Sequence, residues 1–478
     1  MKYKKYRIFL LFCFIFIVIS TAAYTSEKTN FIQYGKGYRF EENGWIFVHI
    51  EGDPYERGYQ HGYLAAAELR EVLRTVQFIV PFNTGMEWQF FVDAADRLFT
   101  KFIDPELVDE MRGIADGATA AGTPLSYKEI LAWNGYDELT GYWWPTKAQE
   151  TYSKIDMKEK EHCSAFIATG SMTTNKKIVI AHNSWTDFVC GQFMNFILEI
   201  VPSQGNRILM QSSPGYIDSF ADFFITGAGI VGVETTIGGF NVYEENEAPE
   251  FYRARKAMQY GNSLDDFVAI MKKHNNGGYA NSWLLGDIKS GEIMRFELGL
   301  KFFNIERKKD GYFIGINAAF DDRIRNLECV GSNFVDIRKP SGSRRVRLTQ
   351  LMNEYKGKIN VEVAQRILAD HYDVYLQKEK PGYRTIDSHY YLDAFEYVST
   401  SGSHPVPFEP FGTLDGKVTD SQLAQQFAFW GRWGNSSGLE FNAQKFLSEH
   451  FQWEHLSGYL KDRPSQPWTL FQAGKIPK

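Results

Sequence analysis

From Cys163 onward the chain changes abruptly to short β-patterned runs, after a first third whose apolar residues recur at helical spacing. The β-patterned runs are 164–169, 177–182, 196–201, 207–211, 229–236, 282–287, 292–298 and 312–316, and helical patterns lie among and after them at 252–260, 263–274, 343–355 and 361–371. Helices, then many strands, then helices predict an α+β fold with antiparallel sheets covered by helices. Ahead of Cys163, an apolar strand pattern at 45–50 leads into Gly52-Asp53-Pro54-Tyr55-Glu56. That pentapeptide reads as a helix start, with Asp53 at the N-cap, Pro54 in the first turn and Glu56 as reciprocal capping partner. Gly58 and Gly62, four apart on that helix, open one face to a close neighbour. Helical periodicity returns at 108–121 and before Trp133, so 25–145 reads as mostly helical, and the polar stretch 146–162 reads as an exposed linker.

The N-terminus sets a destination. Lys2, Lys4, Lys5 and Arg7 precede twelve uncharged apolar residues, 8–19, and then Ser20, Thr21, Ala22 and Ala23. This is the order of a secretory signal peptide over 1–24, with an uncleaved anchor as the alternative, since a membrane span needs about 20 apolar residues. The expected location is therefore secreted or extracytoplasmic: a periplasm, or a lysosome-like lumen in a eukaryote. Net charge is −6 over 478 residues, which argues against a nucleic-acid partner. Aromatic residues at 16% predict a large core and an aromatic-lined cleft for an apolar or amphiphilic ligand. The ten histidines are scattered and the cysteines form no paired motif, so the spacing identifies no metal site. Glycine signatures for phosphate or dinucleotide are also missing, and no cofactor is expected. Cys163, Cys190 and Cys329 remain after loss of the leader, which takes Cys13 with it. A Cys190–Cys329 disulfide and two inert buried thiols are both open readings.

The segment 163–183 reads as strand, turn, strand. The midpoint of Cys163 and His182 falls between Met172 and Thr173, inside the turn, so a regular hairpin sets the two opposite each other on one face. A thiol and an imidazole within mutual reach suit nucleophilic catalysis, although a buried apolar cysteine and a satisfied core histidine fit the same spacing.

His162-Cys163-Ser164-Ala165-Phe166-Ile167, followed by Ile180-Ala181-His182-Asn183-Ser184-Trp185, resembles the nucleophile hairpin of the phospholipase B-like proteins, which belong with the cysteine-type N-terminal-nucleophile hydrolases. Further blocks resemble that family in order: Ser213-Pro214-Gly215, Val233-Glu234-Thr235-Thr236, Asn281-Ser282-Trp283, Ser343-Arg344-Arg345 and Leu414-Asp415-Gly416-Lys417-Val418. The resemblance implies a four-layer αββα sandwich with a helical N-terminal segment. It implies a precursor that cuts its own His162–Cys163 bond, leaving a pro-segment at 25–162 and a catalytic domain at 163–478 whose new terminal amine serves as local base. His182 would orient or polarise the thiol, Asn281 would donate to the oxyanion, and Thr235 or Thr236 would add a polar contact. Arg344 would support the nucleophile, and Trp185 would contact substrate. The implied activity is hydrolysis of acyl ester or amide bonds in phospholipid-like or N-acylated amphiphiles. An amidase or acyltransferase on peptide-like substrates, and a non-catalytic lipid-binding member of the fold, are the alternatives. The expected partners are a small amphiphilic acyl substrate, transiently a membrane surface, and the two fragments for each other.

Overall fold

A computed structural model describes residues 30–153, 163–220, 223–331, 333–395 and 406–476; the expected leader and His162 lie outside these. Two sheets organise the chain. The larger has ten strands, in the order β1 (Ile32–Tyr34), β2 (Gly37–Glu42), β3 (Trp45–Gly52), β6 (Phe196–Pro202), β7 (Ile208–Ser212), β8 (Phe223–Thr226), β9 (Ile230–Thr236), β10 (Asn281–Asp287), β11 (Glu292–Leu298) and β12 (Phe303–Lys308). The seven-stranded sheet runs β13 (Gly311–Gly315), β4 (Cys163–Thr169), β5 (Val179–Asp187), β17 (Asp415–Asp420), β18 (Ala428–Trp433) and β19 (Thr469–Gln472), with β16 (Phe411–Thr413) also pairing with β5. A small ribbon, β14 (Tyr372–Asp373) with β15 (Lys378–Glu379), stands apart.

Strand alternation explains the layering. In β4, Ala165 and Ile167 point into a core shared with Ile197, Leu209, Val231, Val233 and Leu284 of the larger sheet. Their neighbours Phe166 and Ala168 point the other way, onto Leu348, Leu351 and Met352 of α11 (Pro340–Glu354) and Val363 and Ile367 of α12 (Val361–Leu368). The outer face of the larger sheet, with Leu198, Met210, Phe224 and Leu285, meets Ala254, Met258, Phe267 and Met271 of α9 (Glu250–Tyr260) and α10 (Leu264–Lys272). Each sheet is apolar on both faces because each is covered on both. The result is the four-layer αββα sandwich.

The N-terminal segment is helical from Pro54, through α1 (Pro54–Leu64), α2 (Ala66–Thr84), α3 (Trp88–Phe99), α4 (Pro105–Ala120), α5 (Tyr127–Asn134), α6 (Tyr136–Glu138) and α7 (Trp144–Tyr152). It opens, however, with three strands, and β3 joins β6 as a parallel pair from Ile46↔Phe196 to Gly52↔Pro202. The segment therefore supplies one edge of the larger sheet rather than a separate helical layer. Helix α1 starts at Pro54 as expected, but the Asp53 side chain makes no capping hydrogen bond. The polar linker is also shorter than its composition suggests, since 146–152 continues α7.

Helices α1 and α4 pack through glycines. A Cβ at Gly58 or Gly62 would lie 2.0 or 1.9 Å from the Glu110 or Ile114 carbonyl oxygen, and Gly113 and Gly117 return the same intimacy against Tyr55 and Tyr59. Buried Arg57 and Arg255 both hold Glu110, Arg255 at 2.9 Å through two nitrogens, and so tie α1 and α4 to α9.

Candidate active site

Cys163 opens β4 and is buried, with only a few per cent of its surface exposed. Its cross-strand partner is Ser184, while His182 pairs with Ala165. The hairpin register is thus two residues away from the predicted Cys163–His182 opposition. The connection is asymmetric: a 3-10 turn at Gly170–Met172, entered through Gly170 at φ +63°, lengthens it. A two-residue slip preserves the face, so Cys163, Ser184 and His182 all point between the sheets.

His182 does not hydrogen-bond the thiol. Its Nε2 lies 3.0 Å from the Glu234 carbonyl oxygen of β9, which identifies Nε2 as the protonated nitrogen. Burial, reinforced by the Lys417 ammonium, holds the imidazole well below its usual pKa, so the ring is neutral. It bridges the two sheets rather than polarising Cys163.

The backbone of Cys163 is held by residues distant in sequence. Its N–H donates to Asn317 Oδ1 at 3.0 Å, and Asn317 Nδ2 donates to the Thr236 carbonyl at 2.9 Å. Arg344, fully buried on α11, donates to the Cys163 carbonyl and, at 2.9 Å, to Asn317 Oδ1. Trp185 carries this arginine, with the guanidinium carbon 3.9 Å above its ring. Trp185 is buried and absent from the described cleft wall, so the structure gives it a supporting position under Arg344.

Behind Ser184 lies a buried ion pair missed by sequence reasoning. Lys417 Nζ is 2.8 Å from Asp415 Oδ1 and also contacts Ser184 Oγ and Gln211 Oε1. Asp415 in turn accepts from the Ser184 N–H at 3.1 Å and Gln211 Nε2 at 2.7 Å. Both lie in a block already noted for its resemblance, but nothing local announced that they would converge on β5.

Thr235 continues the inward face of Val231 and Val233, and its side chain lies against Gly315, the β13 partner of Ala165. Thr236 and Asn281 are cross-strand partners, and the alternation of β10 puts Asn281 on the face of Trp283 and Leu285. The hydroxyls of Thr235 and Thr236 and both amide atoms of Asn281 are buried without hydrogen-bond partners among the described residues. All three residues are thus close in the sheet, but only Thr235 shares the inter-sheet face with Cys163.

Beside this centre opens a cleft of about 650 Å³. Tyr142, Trp144, Phe240, Tyr243, Tyr279 and Tyr390 stand in its wall, which is the aromatic lining the composition suggested. Thr186, on the same face of β5 as Ser184 and two residues beyond it, brings the wall to about 7 Å along the strand from the Cys163–Ser184 pair. Asp137, Asp187 and Glu409 also line the cleft, and no lysine or arginine does among the described residues.

The three described cysteines are free thiols, which removes the disulfide reading. Cys190 packs into the inter-sheet core with its Sγ 3.5 Å from Tyr136 Oη, and Cys329 sits against Phe240 in a separate apolar cluster. Burial raises both pKa values, that of Cys329 to about 12, so neither competes as a thiolate.

Among known proteins, the chain is 27% identical over 268 residues to an uncharacterized protein of Archaeoglobus fulgidus, covering 52% of this chain and 42% of that one. It is 31% identical over 147 residues to a putative phospholipase B-like 2 of Bos taurus, covering 27% of this chain and 24% of that one. The chain thus spans less than half the length of either relative. Among solved structures, a mutant of conjugated bile acid hydrolase from Clostridium perfringens aligns with 57% of this chain and 89% of its own, at 9% identity and a TM-score of 0.33. The family model described as Phospholipase B matches residues 76–316, a stretch containing Cys163, His182, Thr235, Thr236 and Asn281 and stopping one residue short of Asn317. With half of its length matched in this way, the Cys163 hairpin included, the chain belongs to the phospholipase B family.

Proposed function

We propose that this chain is an exported, self-processing hydrolase that uses Cys163 to cleave acyl ester or amide bonds of phospholipid-like or N-acylated amphiphiles. The observation that carries the reading is the hold on the Cys163 backbone: its nitrogen on Asn317 Oδ1 and its carbonyl on Arg344, beside an aromatic cleft. A residue whose own amide nitrogen is gripped by a buried side chain suits a role in which that nitrogen becomes functional.

In processing, the Cys163 thiol attacks the His162 carbonyl carbon. The carbon–nitrogen bond breaks, a thioester forms, and the nitrogen leaves as an amine after taking up a proton. Water then hydrolyses the thioester to the His162 carboxylate and the free thiol. In turnover the new α-amine, with an ordinary pKa of about 7.7–8.0, removes the thiol proton as sulfur attacks the substrate acyl carbon. It returns that proton to the departing alcohol or amine, and water releases the acid. Asn317 Oδ1 would keep the amine oriented throughout. Thr235, on the inward face, is the better-placed donor for the oxyanion; Asn281 would serve there only if its amide reached around the end of β10.

The cleft supports an amphiphile with an apolar chain and a neutral or cationic head, since acidic side chains and no described lysine or arginine line it. The leader-like N-terminus supports export. The expected fragments would stay associated, because β3 remains in the larger sheet and Glu110 is held by Arg255 from across the cut.

Intact mass and N-terminal sequencing test the reading. Purified protein should yield a chain beginning Cys-Ser-Ala-Phe, absent from a Cys163→Ala control. A single uncut chain in both, after incubation at acidic and neutral pH, would overturn self-processing.

A further inference from the structure

Away from the cleft, three potential metal ligands converge behind the nucleophile strand. His371 follows α12, and Asp387 and His389 flank Ser388 on an extended segment. The two Nε2 atoms are 3.0 Å apart, and Asp387 Oδ2 is 3.3 Å from that of His371 and 3.4 Å from that of His389. Ligands about 2.0–2.1 Å from a zinc ion at tetrahedral angles stand roughly 3.3–3.4 Å from one another. The triangle of nitrogen, nitrogen and oxygen therefore has close to the dimensions of one face of a zinc tetrahedron.

Hydrogen bonding satisfies this arrangement poorly. If both imidazoles are neutral, each Nε2 carries either a hydrogen or a lone pair. Two N–H groups could both turn to Asp387 Oδ2 but would then face each other at 3.0 Å, and a single N–H or none leaves lone pairs opposed, so in no tautomer are all three contacts attractive. Asp387 and His389 are fully buried, so water cannot relieve the conflict at their side chains. Asp387 Oδ1 and His389 Nδ1 also lack hydrogen-bond partners among the described residues, while Oδ2 accepts from the Ser437 N–H at 2.9 Å. A cation in the triangle satisfies three lone pairs at once. His371 is the one ligand with a partly exposed side chain and so marks the entry route.

We propose that His371, Asp387 and His389 bind one divalent d-block cation, of which zinc is the expected member, as a structural staple with its fourth position open on the His371 side. The ion would pin the segment ahead of Asp387, whose Ile386 carbonyl accepts from Ser164 Oγ and Asn183 Nδ2 on the outer face of the Cys163 hairpin. The site thus braces β4 and β5 from behind without touching substrate. Its ligands are 16 and 2 residues apart in sequence, a spacing that matches no familiar motif.

The test uses untagged full-length protein, stripped with a chelator, incubated with zinc chloride and dialysed. Elemental analysis should find about one zinc per chain, and cobalt in its place should give the intense visible bands of a tetrahedral site. His371→Ala, the change at the exposed ligand and the least disruptive to folding, should lose most of the metal, and Asp387→Asn should weaken binding at least tenfold. Zinc should raise the melting temperature of the parent and leave that of His371→Ala unchanged. Failure of the parent to retain zinc, or equal retention by a folded His371→Ala protein, would overturn the proposal.

Discussion

Asn317 has two jobs that one side chain can do only from an unusual backbone. Its φ is +59°, in the left-handed region that asparagine tolerates better than most residues. From there Oδ1 faces the Cys163 nitrogen and Nδ2 faces the Thr236 carbonyl. Asn317→Gly removes the side chain without adding strain, so its effect reports the lost contacts alone. Release of the Cys163 fragment, and later turnover, should slow roughly 10²-fold, the scale of a misplaced reacting group. Asn317→Asp keeps an acceptor for the amine and should recover part of that loss. Equal rates in all three proteins, followed by mass spectrometry over a time course, would rule out a positioning role. Arg344 makes a related case. Lysine would keep the charge but lose the planar fork that reaches both the Cys163 carbonyl and Asn317 while stacked on Trp185. Arg344→Lys should therefore process more slowly than the parent in the same assay.

At the scale of elements, the α1–α4 contact depends on absent side chains. A methyl group at Gly62 would have to occupy space now filled by the backbone of Ile114 and Ala118. The helices would be forced apart, and Arg57 would lose its geometry with Glu110. Gly62→Ala should destabilise the protein by about 1–3 kcal/mol, the usual range for overpacking, measurable as a lower urea midpoint. Gly85, at a left-handed helix terminus with open space around it, provides the contrast: Gly85→Asn should cost much less. Here the sequence was informative, because the four-residue glycine spacing exposes one face whatever lies against it. The strand runs after Cys163 were equally legible, as short, largely apolar runs bounded by turn residues. The hairpin β1–β2 was not, because its half-exposed residues lack an apolar stripe. The slip at Cys163 was hidden in the turn. Asn317, Asp415 and Lys417 were hidden by distance: the Asn317 contact spans 154 residues and the Lys417–Ser184 contact 233. Local pattern carries no information about which strand ends meet. Only the resemblance, which already included the block around Lys417, pointed in that direction.

For the whole molecule, two buried groups on the N-terminal helices set opposing responses to pH. Glu138 on α6 is pushed up to about 7 by burial, against hydrogen bonds from Asn276 and the Glu250 N–H. His61 on α1 is pushed down to about 4, again by burial, and its Nε2 accepts from the Gly215 N–H at 3.0 Å. Between pH 4.5 and 7 the folded chain holds a proton on Glu138 that the unfolded chain has released, so this group stabilises the acidic side and loses its contribution as pH rises. Between pH 4 and 6.5 the unfolded chain protonates His61 and the folded chain does not, so this group stabilises the neutral side and loses its contribution as pH falls. Each displacement corresponds to about 3 kcal/mol. In the overlap they nearly cancel. Substitution separates them: Glu138→Gln removes the acid-favouring term, and its stability relative to the parent should rise from about pH 4.5 to 7. His61→Gln, which keeps an acceptor for Gly215, should show the opposite trend, gaining on the parent as pH falls from about 6.5 to 4. Urea unfolding of the three proteins across that range measures both slopes, and parallel curves for all three would show that neither group titrates as its burial requires.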